Sequence, residues 1–181
     1  MNTIKKIVIV IVSIVAVIIV AIVILLGFFE GGFFFMAPSY NKMDRFLNAN
    51  IDELSYVADA LFNLDYESIE IRKVPLREED KYNMIVRNGS DSETIPIPDE
   101  LLGHIEALYQ SGVSVISCGR DTIGFSMWST MSESRGIRFS KAGLTLDDGN
   151  YIEVRQLSKA NWYYYVHNFE KWKARNPHLY Q

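Results

Sequence analysis

The stretch VSVISCGRDTIGFSMW, residues 113–128, decides the fold. Two segments with the composition of β-strands, 113–118 and 122–128, lie on either side of the tripeptide Gly-Arg-Asp at 119–121. A three-residue loop that contains glycine is typical of a β-hairpin. The stretch therefore predicts two neighbouring antiparallel strands, and the rest of the domain is expected to extend this sheet.

Further strands are predicted on both sides of the hairpin. Upstream, residues 68–74 and 82–87 have strand character and are separated by a charged loop at 77–81, while 88–92 (Asn-Gly-Ser-Asp-Ser) have the composition of a turn. Downstream, short strands are predicted at residues 136–140, 144–146, 151–157 and 162–166, with a turn at 147–150. We therefore expect a mostly antiparallel sheet.

Two helices are expected to cover this sheet. In residues 41–63 apolar side chains recur at spacings of three and four, which predicts one amphipathic helix. A paired coiled coil is the alternative, but the pattern lasts only about three heptads. A second helix is predicted from Pro98 to Gly112, and a closing helical turn at 169–175. The predicted fold class is α+β, with one small domain at residues 39–181.

Residues 7–29 form an apolar run in which only Ser13 and Gly27 are not strongly apolar, and all 22 acidic and 18 basic residues lie outside it. As a helix it would be roughly 34 Å long, enough to cross a hydrocarbon core of about 30 Å. A buried strand pair or a core helix is the alternative, but neither needs so long an apolar stretch. The run predicts a single transmembrane helix.

A cleavable signal peptide is the second alternative for this run. Its apolar region would be about 7–15 residues long and would end near a small-x-small site. The tripeptide at 37–39, Ala-Pro-Ser, has that form, but three phenylalanines at 33–35 separate it from the run. We therefore expect a retained anchor.

The charges that flank the run predict its orientation. Lys5 and Lys6 precede it, and Glu30 is the first charged residue after it. By the positive-inside rule, residues 1–6 are cytoplasmic and the domain lies outside, so the predicted location is the cell membrane. Residues 30–38, with two glycines and three phenylalanines, are expected to form either an interfacial juxtamembrane collar or an extension of the domain core.

The C-terminal third carries a resemblance. Residues 135–140 (Arg-Gly-Ile-Arg-Phe-Ser) are followed by Trp-Tyr-Tyr-Tyr at 162–165 and then by Phe169 and Trp172. This segment resembles the C-terminal part of small, uncharacterised bacterial proteins that share a strand with Arg-Gly and a closing Trp-Tyr-Tyr-Tyr strand. The resemblance implies a bacterial source, but no activity, ligand or catalytic residue.

Catalytic and metal-binding patterns are weak in this sequence. Cys118 is the only cysteine, so it is either a small buried thiol at the end of an apolar strand or a reactive thiol. The three histidines, His104, His167 and His178, are scattered without metal-ligand spacing. There is no Gly-x-Ser-x-Gly elbow and no Walker loop. No cofactor, metal or catalytic residue is predicted, and an enzyme is the less favoured class.

The aromatic strand is the unusual feature of the C-terminal part. In an extended strand Trp162 and Tyr164 share one face, while Tyr163 and Tyr165 share the other. Either these rings form a binding surface, since exposed Trp and Tyr are enriched at recognition sites, or Trp162 and Tyr164 belong to the core and the other two pack against the second helix.

A small basic and aromatic patch is predicted next to this strand. Lys171, Lys173 and Arg175 lie beside Trp172 and would suit phospholipid head groups or an anionic wall polymer. Together with the aromatic strand, they complete the predicted binding surface.

These observations favour an interaction module. The net charge of −4 excludes a strongly basic nucleic-acid binder. The expected partners are the lipid bilayer, through residues 7–29, and an envelope protein, peptide or glycan. An envelope enzyme with an unrecognised site, or a protective, immunity-type protein at the membrane, are the alternatives.

Overall fold

The computed structural model describes Ile18 and residues 37–74, 82–130, 132–146 and 151–175. The predicted transmembrane segment 7–29 lies, apart from Ile18, outside the described residues. Residues 1–6 and the predicted collar up to residue 36 also lie outside them. Among the residues described, no helix has the length and apolarity needed to cross a bilayer. The contacts divide the chain into two compact units, Met1–Ala37 and Pro38–Gln181, and all the elements below belong to the second.

The predicted hairpin is present. Strand β4 spans Val115–Gly119 and strand β5 spans Thr122–Ser129, and they pair antiparallel with Cys118 opposite Ile123. Gly119 belongs to the first strand, so two residues and not three lie between the strands.

Eight strands form one sheet in which every ladder is antiparallel. The other six are β1 (Ser68–Lys73), β2 (Tyr82–Asn88), β3 (Asp91–Ile95), β6 (Glu133–Ser140), β7 (Tyr151–Gln156) and β8 (Trp162–Asn168). The spatial order is β3-β2-β1-β4-β5-β6-β8-β7, so β3 and β7 are the outer strands. The chain has an α+β fold built on an antiparallel sheet.

Two strand predictions differ from the structure. β3 begins inside the predicted turn at 88–92; it is polar and almost fully exposed, so its sequence lacks the apolar alternation that marks a half-buried strand. The predicted strand at 144–146 is absent, because Gly143, at φ +94°, turns the chain and Leu144 packs its side chain into a small apolar cluster. The predicted loops at 77–81 and 147–150 lie outside the described residues.

The helix predicted at 41–63 is two helices, α1 (Tyr40–Ala49) and α2 (Ile51–Phe62). They meet at Asn50, whose φ of −125° and ψ of 18° are not helical. The Asn50 side chain donates from Nδ2 to the carbonyl of Phe46 at 2.9 Å, and its backbone N–H bonds to the same oxygen at 3.1 Å. Asparagine favours such local bonds over helix continuation, which explains the break.

The remaining helices are α3 (Asp99–Gln110) and the short α4 (Phe169–Arg175), close to their predicted positions. α1 lies against β6 and β8, and α2 lies against β4 and packs on α3. Tyr40, the first residue of α1, donates its hydroxyl to the carbonyl of Gln156 on β7 at 2.7 Å. The buried residues of these helices recur every three or four positions: Met43, Leu47, Leu54, Val57, Ala58, Leu61, Leu101, Ile105 and Leu108.

The sheet has two chemically different faces. The apolar face, covered by α1, α2 and α3, presents Ile69, Ile71, Met84, Val86, Ile116, Cys118, Ile123, Phe125, Ile137, Trp162, Tyr164 and Val166. Alternate residues on the central and C-terminal strands form the other face, here called the polar face: Ser117, Gly124, Ser126, Gly136, Arg138, Tyr163, Tyr165 and His167.

Candidate functional site

The aromatic strand is largely buried. Trp162 and Tyr164 are 4% and 2% exposed, because both lie on the apolar face beneath the helices. Trp162 contacts Phe125 and Phe139, and Tyr164 contacts Tyr40 edge-on. Of the two interpretations offered for these rings, the core one describes Trp162 and Tyr164, so neither ring belongs to an exposed binding surface.

Tyr163 and Tyr165 lie on the polar face and not against the second helix. Tyr165 is buried in a small cluster with Leu144 and Tyr151, and Tyr163 packs on that cluster while remaining half-buried. Of the four aromatic residues, only Tyr163 keeps appreciable exposure on this face.

The predicted basic patch lies on α4. Lys171 and Lys173 are exposed there, while the side chains of Trp172 and Arg175 are outside the described part of the chain. α4 contacts the outer strand β7, so the two lysines lie at the edge of the sheet, away from its centre.

Cys118 is a buried thiol on the apolar face. Burial raises its pKa to about 11, and the nearby charges of Lys141 and Arg138 offset only part of that rise. Because the thiolate is the nucleophile, a thiol with this pKa is poorly reactive at neutral pH. The structure gives the Cys118 side chain a packing role.

The centre of the polar face is organised by Arg138. On neighbouring strands Ser117 lies opposite Gly124, and Gly124 lies opposite Arg138. Nη2 of Arg138 is 3.4 Å from Oγ of Ser117, so the side chain extends across β5 to reach β4. It can lie there because Gly124 has no side chain: an added Cβ would be only 2.7 Å from Nη2.

The side chain of Tyr165 also extends across a neighbouring strand on the polar face: it starts from β8 and crosses β6 to reach β5. It lies opposite Gly136 on β6, and its hydroxyl is 2.6 Å from Oγ of Ser126 on β5. A Cβ on Gly136 would be 2.9 Å from that hydroxyl. Two glycines on adjacent strands therefore let two long side chains lie flat on the sheet, which is a recognised use of glycine in strand interiors.

Tyrosine rings hold the guanidinium of Arg138. Its Cζ is 5.4 Å from the ring centre of Tyr165 and 5.5 Å from that of Tyr151, within the range of cation–π attraction. The two rings contact each other edge-on at 5.5 Å. The arginine head group thus lies in the space that Gly124 leaves free and is held there by the two tyrosine rings.

Arg138 lacks the partners that a half-buried arginine usually has. In the described ranges no carboxylate lies within ion-pair distance of it, and its buried Nε has no hydrogen-bond acceptor. Arg135, on the same strand but the opposite face, does have such a partner: its Nε bonds to Glu133 at 2.7 Å. Trp128 Nε1 is the other buried donor without an acceptor in those ranges, and it is uncharged.

His167 adds a polar group to this face without adding charge. Burial lowers its pKa, and the positive charge of Arg138 lowers it further. The imidazole is therefore neutral at pH 7. It lies edge-on to Tyr151 with ring centres 6.4 Å apart. Arg138 consequently supplies the positive charge at the centre of the face.

A metal centre has no support in the part of the chain that the structure describes, where no three His, Cys, Asp or Glu side chains lie together. What the arrangement offers is a fixed cation on a half-buried surface of hydroxyls and rings. Guanidinium groups in such places recognise carboxylate or phosphate groups through paired hydrogen bonds.

Comparison with known proteins assigns no family: no protein-family model matches the chain, and neither a curated protein nor a solved structure matches it.

Sequence reasoning did not identify Arg138, Ser117 or Gly124 as site residues. The available signal was glycine inside predicted strands, at 124 and 136, since such glycines often mark a close approach of other groups. That signal does not say which side chain approaches, because the answer depends on the register between strands.

Proposed function

We propose that the chain is a single-pass membrane protein, anchored through residues 7–29, whose domain lies outside the cytoplasm and binds an envelope component through its polar face. The anchor and its orientation are supported by the apolar run and by Lys5 and Lys6 before it. The binding role is supported by one observation above all: Arg138 is held in place without an anionic partner in the described residues.

The energetic argument favours binding over a structural role for Arg138. Placing a guanidinium in a half-buried position without a carboxylate costs roughly a few kcal/mol of folding free energy. Arg135 shows that this strand accommodates an arginine together with its carboxylate, Glu133. A ligand that brings an anion would pair with the guanidinium of Arg138. The favourable free energy of that pairing, absent in the unliganded protein, would contribute to binding.

An envelope enzyme is the weaker candidate. Its most obvious nucleophile, Cys118, is buried under the helices with a raised pKa. The neutral His167 lies on the opposite face of the sheet from that thiol, so the two side chains do not form a nucleophile–base pair. No specific observation favours a protective, immunity-type role over general binding.

Membrane topology is tested first, with the full chain in intact cells. A tag after Gln181 is expected to be digested by added protease, while a tag before Met1 is expected to survive until the cells are lysed. Protection of the C-terminal tag in intact cells would overturn the proposed orientation.

The binding face is tested by site-specific photo-crosslinking of the full chain in its membrane. A photoreactive residue at Ser117 or at Tyr163 is expected to give the same adduct, and one at the exposed Asp59 on α2 is expected to give none. Arg138→Gln should abolish the adduct. Arg72→Gln is the matched control, because Arg72 is 60% exposed and already paired with Glu70. Adducts that form equally from Asp59, or that survive Arg138→Gln, would count against the polar face.

A further inference from the structure

The charge at the centre of the polar face is that of a single cation. Around Arg138 the described side chains are uncharged serine and tyrosine, and the nearby imidazole of His167 is kept neutral. Lys141 lies elsewhere, with its ammonium 4.0 Å from the ring centre of Phe62 on α2. One positive charge balances one negative charge, so the charge count favours a monoanion over a phosphate dianion.

The geometry leaves one edge of the guanidinium for a ligand. Nε and Nη2 lie closest to the sheet, 2.9 Å and 2.7 Å from the position that a Cβ on residue 124 would take. Tyr151 and Tyr165 flank the group. Nη1 is neither among the atoms nearest to that position nor bonded to a described residue. The outer edge of the group is therefore formed by Nη1 and the second N–H of Nη2, and two parallel N–H groups on one edge match the two oxygens of a carboxylate. The half-buried hydroxyl of Ser117, 3.4 Å from Nη2, is placed to donate to one of those oxygens.

The surroundings favour a peptide over a sugar. Leu144, Val154 and the rings of the tyrosine cluster give the neighbourhood an apolar character. Two of the hydroxyls present, on Ser126 and Tyr165, already bond to each other at 2.6 Å. A sugar acid needs many hydrogen-bond partners for its hydroxyls, whereas a peptide presents a carboxylate next to an apolar side chain.

We infer that the outer edge of Arg138 binds a carboxylate of a peptide partner, with the adjoining peptide side chain on Val154 and Tyr163, the half-buried residues that pack on the Leu144–Tyr151–Tyr165 cluster. This inference rests on the proposed function, since it names the ligand class for the same face. The carboxylate comes from a peptide C-terminus or from an acidic side chain, and the experiment separates these two sources.

The test uses the full chain in detergent micelles, labelled with ¹⁵N-arginine, and follows the Nε–Hε NMR signal of Arg138, assigned by its loss in Arg138→Gln. Five probes are titrated: N-acetyl-Ala-Ala-Leu with a free C-terminus, its C-terminal amide, N-acetyl-Ala-Glu-Leu amide, glucuronic acid and inorganic phosphate. At least one carboxylate peptide is expected to shift the signal saturably. Its dissociation constant should be at least about tenfold lower than that of N-acetyl-Ala-Ala-Leu amide, which has no carboxylate. The free-terminus and glutamate peptides identify the source.

The control variants distinguish charge from geometry. Arg138→Lys keeps the charge but loses the paired donors, so it should bind the carboxylate peptide more weakly, while Arg72→Gln should bind it as the parent does. Equal binding of the carboxylate-free amide, or tighter binding of phosphate, would overturn the carboxylate assignment. Tighter binding of glucuronic acid would overturn the assignment to a peptide.

The two proposals fail separately. If crosslinks at residues 117 and 163 form and depend on Arg138 but neither carboxylate peptide shifts its signal, the ligand class is wrong and the binding face stands. If a carboxylate peptide binds in micelles but no crosslink forms in the membrane, the proposed function fails.

Discussion

The side chain of Arg138 occupies the space that a side chain on Gly124 would fill. A Cβ on residue 124 would lie 2.7 Å from Nη2 and 2.9 Å from Nε of that arginine, and 3.1 Å from Oγ of Ser117. The two residues are direct cross-strand neighbours on β5 and β6. The position of the guanidinium therefore depends on the absence of a single methyl group.

Gly124→Ala is expected to displace the Arg138 head group while leaving the fold intact. The atoms in the way are at the end of a flexible side chain, so the chain can move aside, at a cost of about 1–2 kcal/mol in the free energy of unfolding. The Nε–Hε signal of Arg138 should shift, and crosslinking at residue 117 should fall.

Gly103→Ala on α3 is the control for Gly124→Ala. Nothing lies within 4 Å of the added Cβ there, and alanine is the better helix former, so stability should rise by up to about 1 kcal/mol. An unchanged Arg138 signal in Gly124→Ala would contradict the dependence of the guanidinium on that glycine.

Gly136→Ala is expected to disrupt the sheet itself. The added Cβ would lie 2.2 Å from the backbone carbonyl of Phe125 and 2.9 Å from Cα of Ser126, and neither atom can rotate away. We expect a loss of about 3 kcal/mol or more in the free energy of unfolding, measured by urea denaturation. Stability equal to that of Gly124→Ala would show that the strands separate more easily than the register implies.

Cys118 is expected to resist thiol reagents while the protein is folded. With a pKa of about 11, roughly one thousandth of the thiol is ionised at pH 8. The residue is also only 6% exposed, so the reagent has little access to it. Its reaction with an aromatic disulfide reagent should be slow in buffer and complete within the mixing time of the assay in urea. Fast reaction of the folded protein would restore the prediction of a reactive thiol.

Stability is expected to fall in acid through Glu67. The N–H of Gly89 donates to its carboxylate at 2.9 Å and Arg120 pairs with it, and these contacts lower its pKa below the usual 4.5, with the Gly89 bond the largest cause. Between the lowered pKa and 4.5 the unfolded chain binds the proton and the folded chain does not. Stability is therefore present above pH 4.5 and is lost as the pH falls through the lowered pKa.

Glu67→Gln should flatten this part of the pH profile of urea unfolding. Glu93→Gln on the exposed strand β3 is the control and should keep the slope of the parent. An unchanged slope in Glu67→Gln would mean that the contacts to Gly89 and Arg120 do not persist in solution.

His167 reports on the charge of Arg138. Burial is the main cause of its lowered pKa and Arg138 is the second. Arg138→Gln removes the second cause, so the pKa of His167, measured by NMR titration of the imidazole, should move up toward 6.5. No change would show that the two side chains are too far apart, or too well screened, to interact.

The sequence predicts the helices and the central strands because their side chains repeat with regular spacing. Ile105 and Leu108 follow the helical period, and the hairpin at 113–128 contains its own turn. The same reasoning does not predict β3, because an exposed outer strand need not alternate apolar and polar residues. Periodicity also does not predict the break at Asn50, because the helical spacing of apolar residues continues across it.

The candidate site is harder to predict than the fold. Arg138, Gly124 and Ser117 come from three different strands, and only the register brings them together. A shift of one residue on any strand would turn these side chains to the other face. Composition places aromatic residues at 162–165, but it does not say that three of them are buried.

The outer strands bear on self-association. An exposed strand edge invites pairing with a second copy of the same protein and, at high concentration, aggregation. At β7 the hydroxyl of Tyr40 already takes the carbonyl of Gln156, and a bulge interrupts the register between Tyr151 and Glu153. At β3 the acidic Asp91 and Glu93 would lie near their own copies if two edges met, and would repel them. The domain thus keeps a broad sheet while its outer strands discourage neighbouring copies from pairing edge to edge.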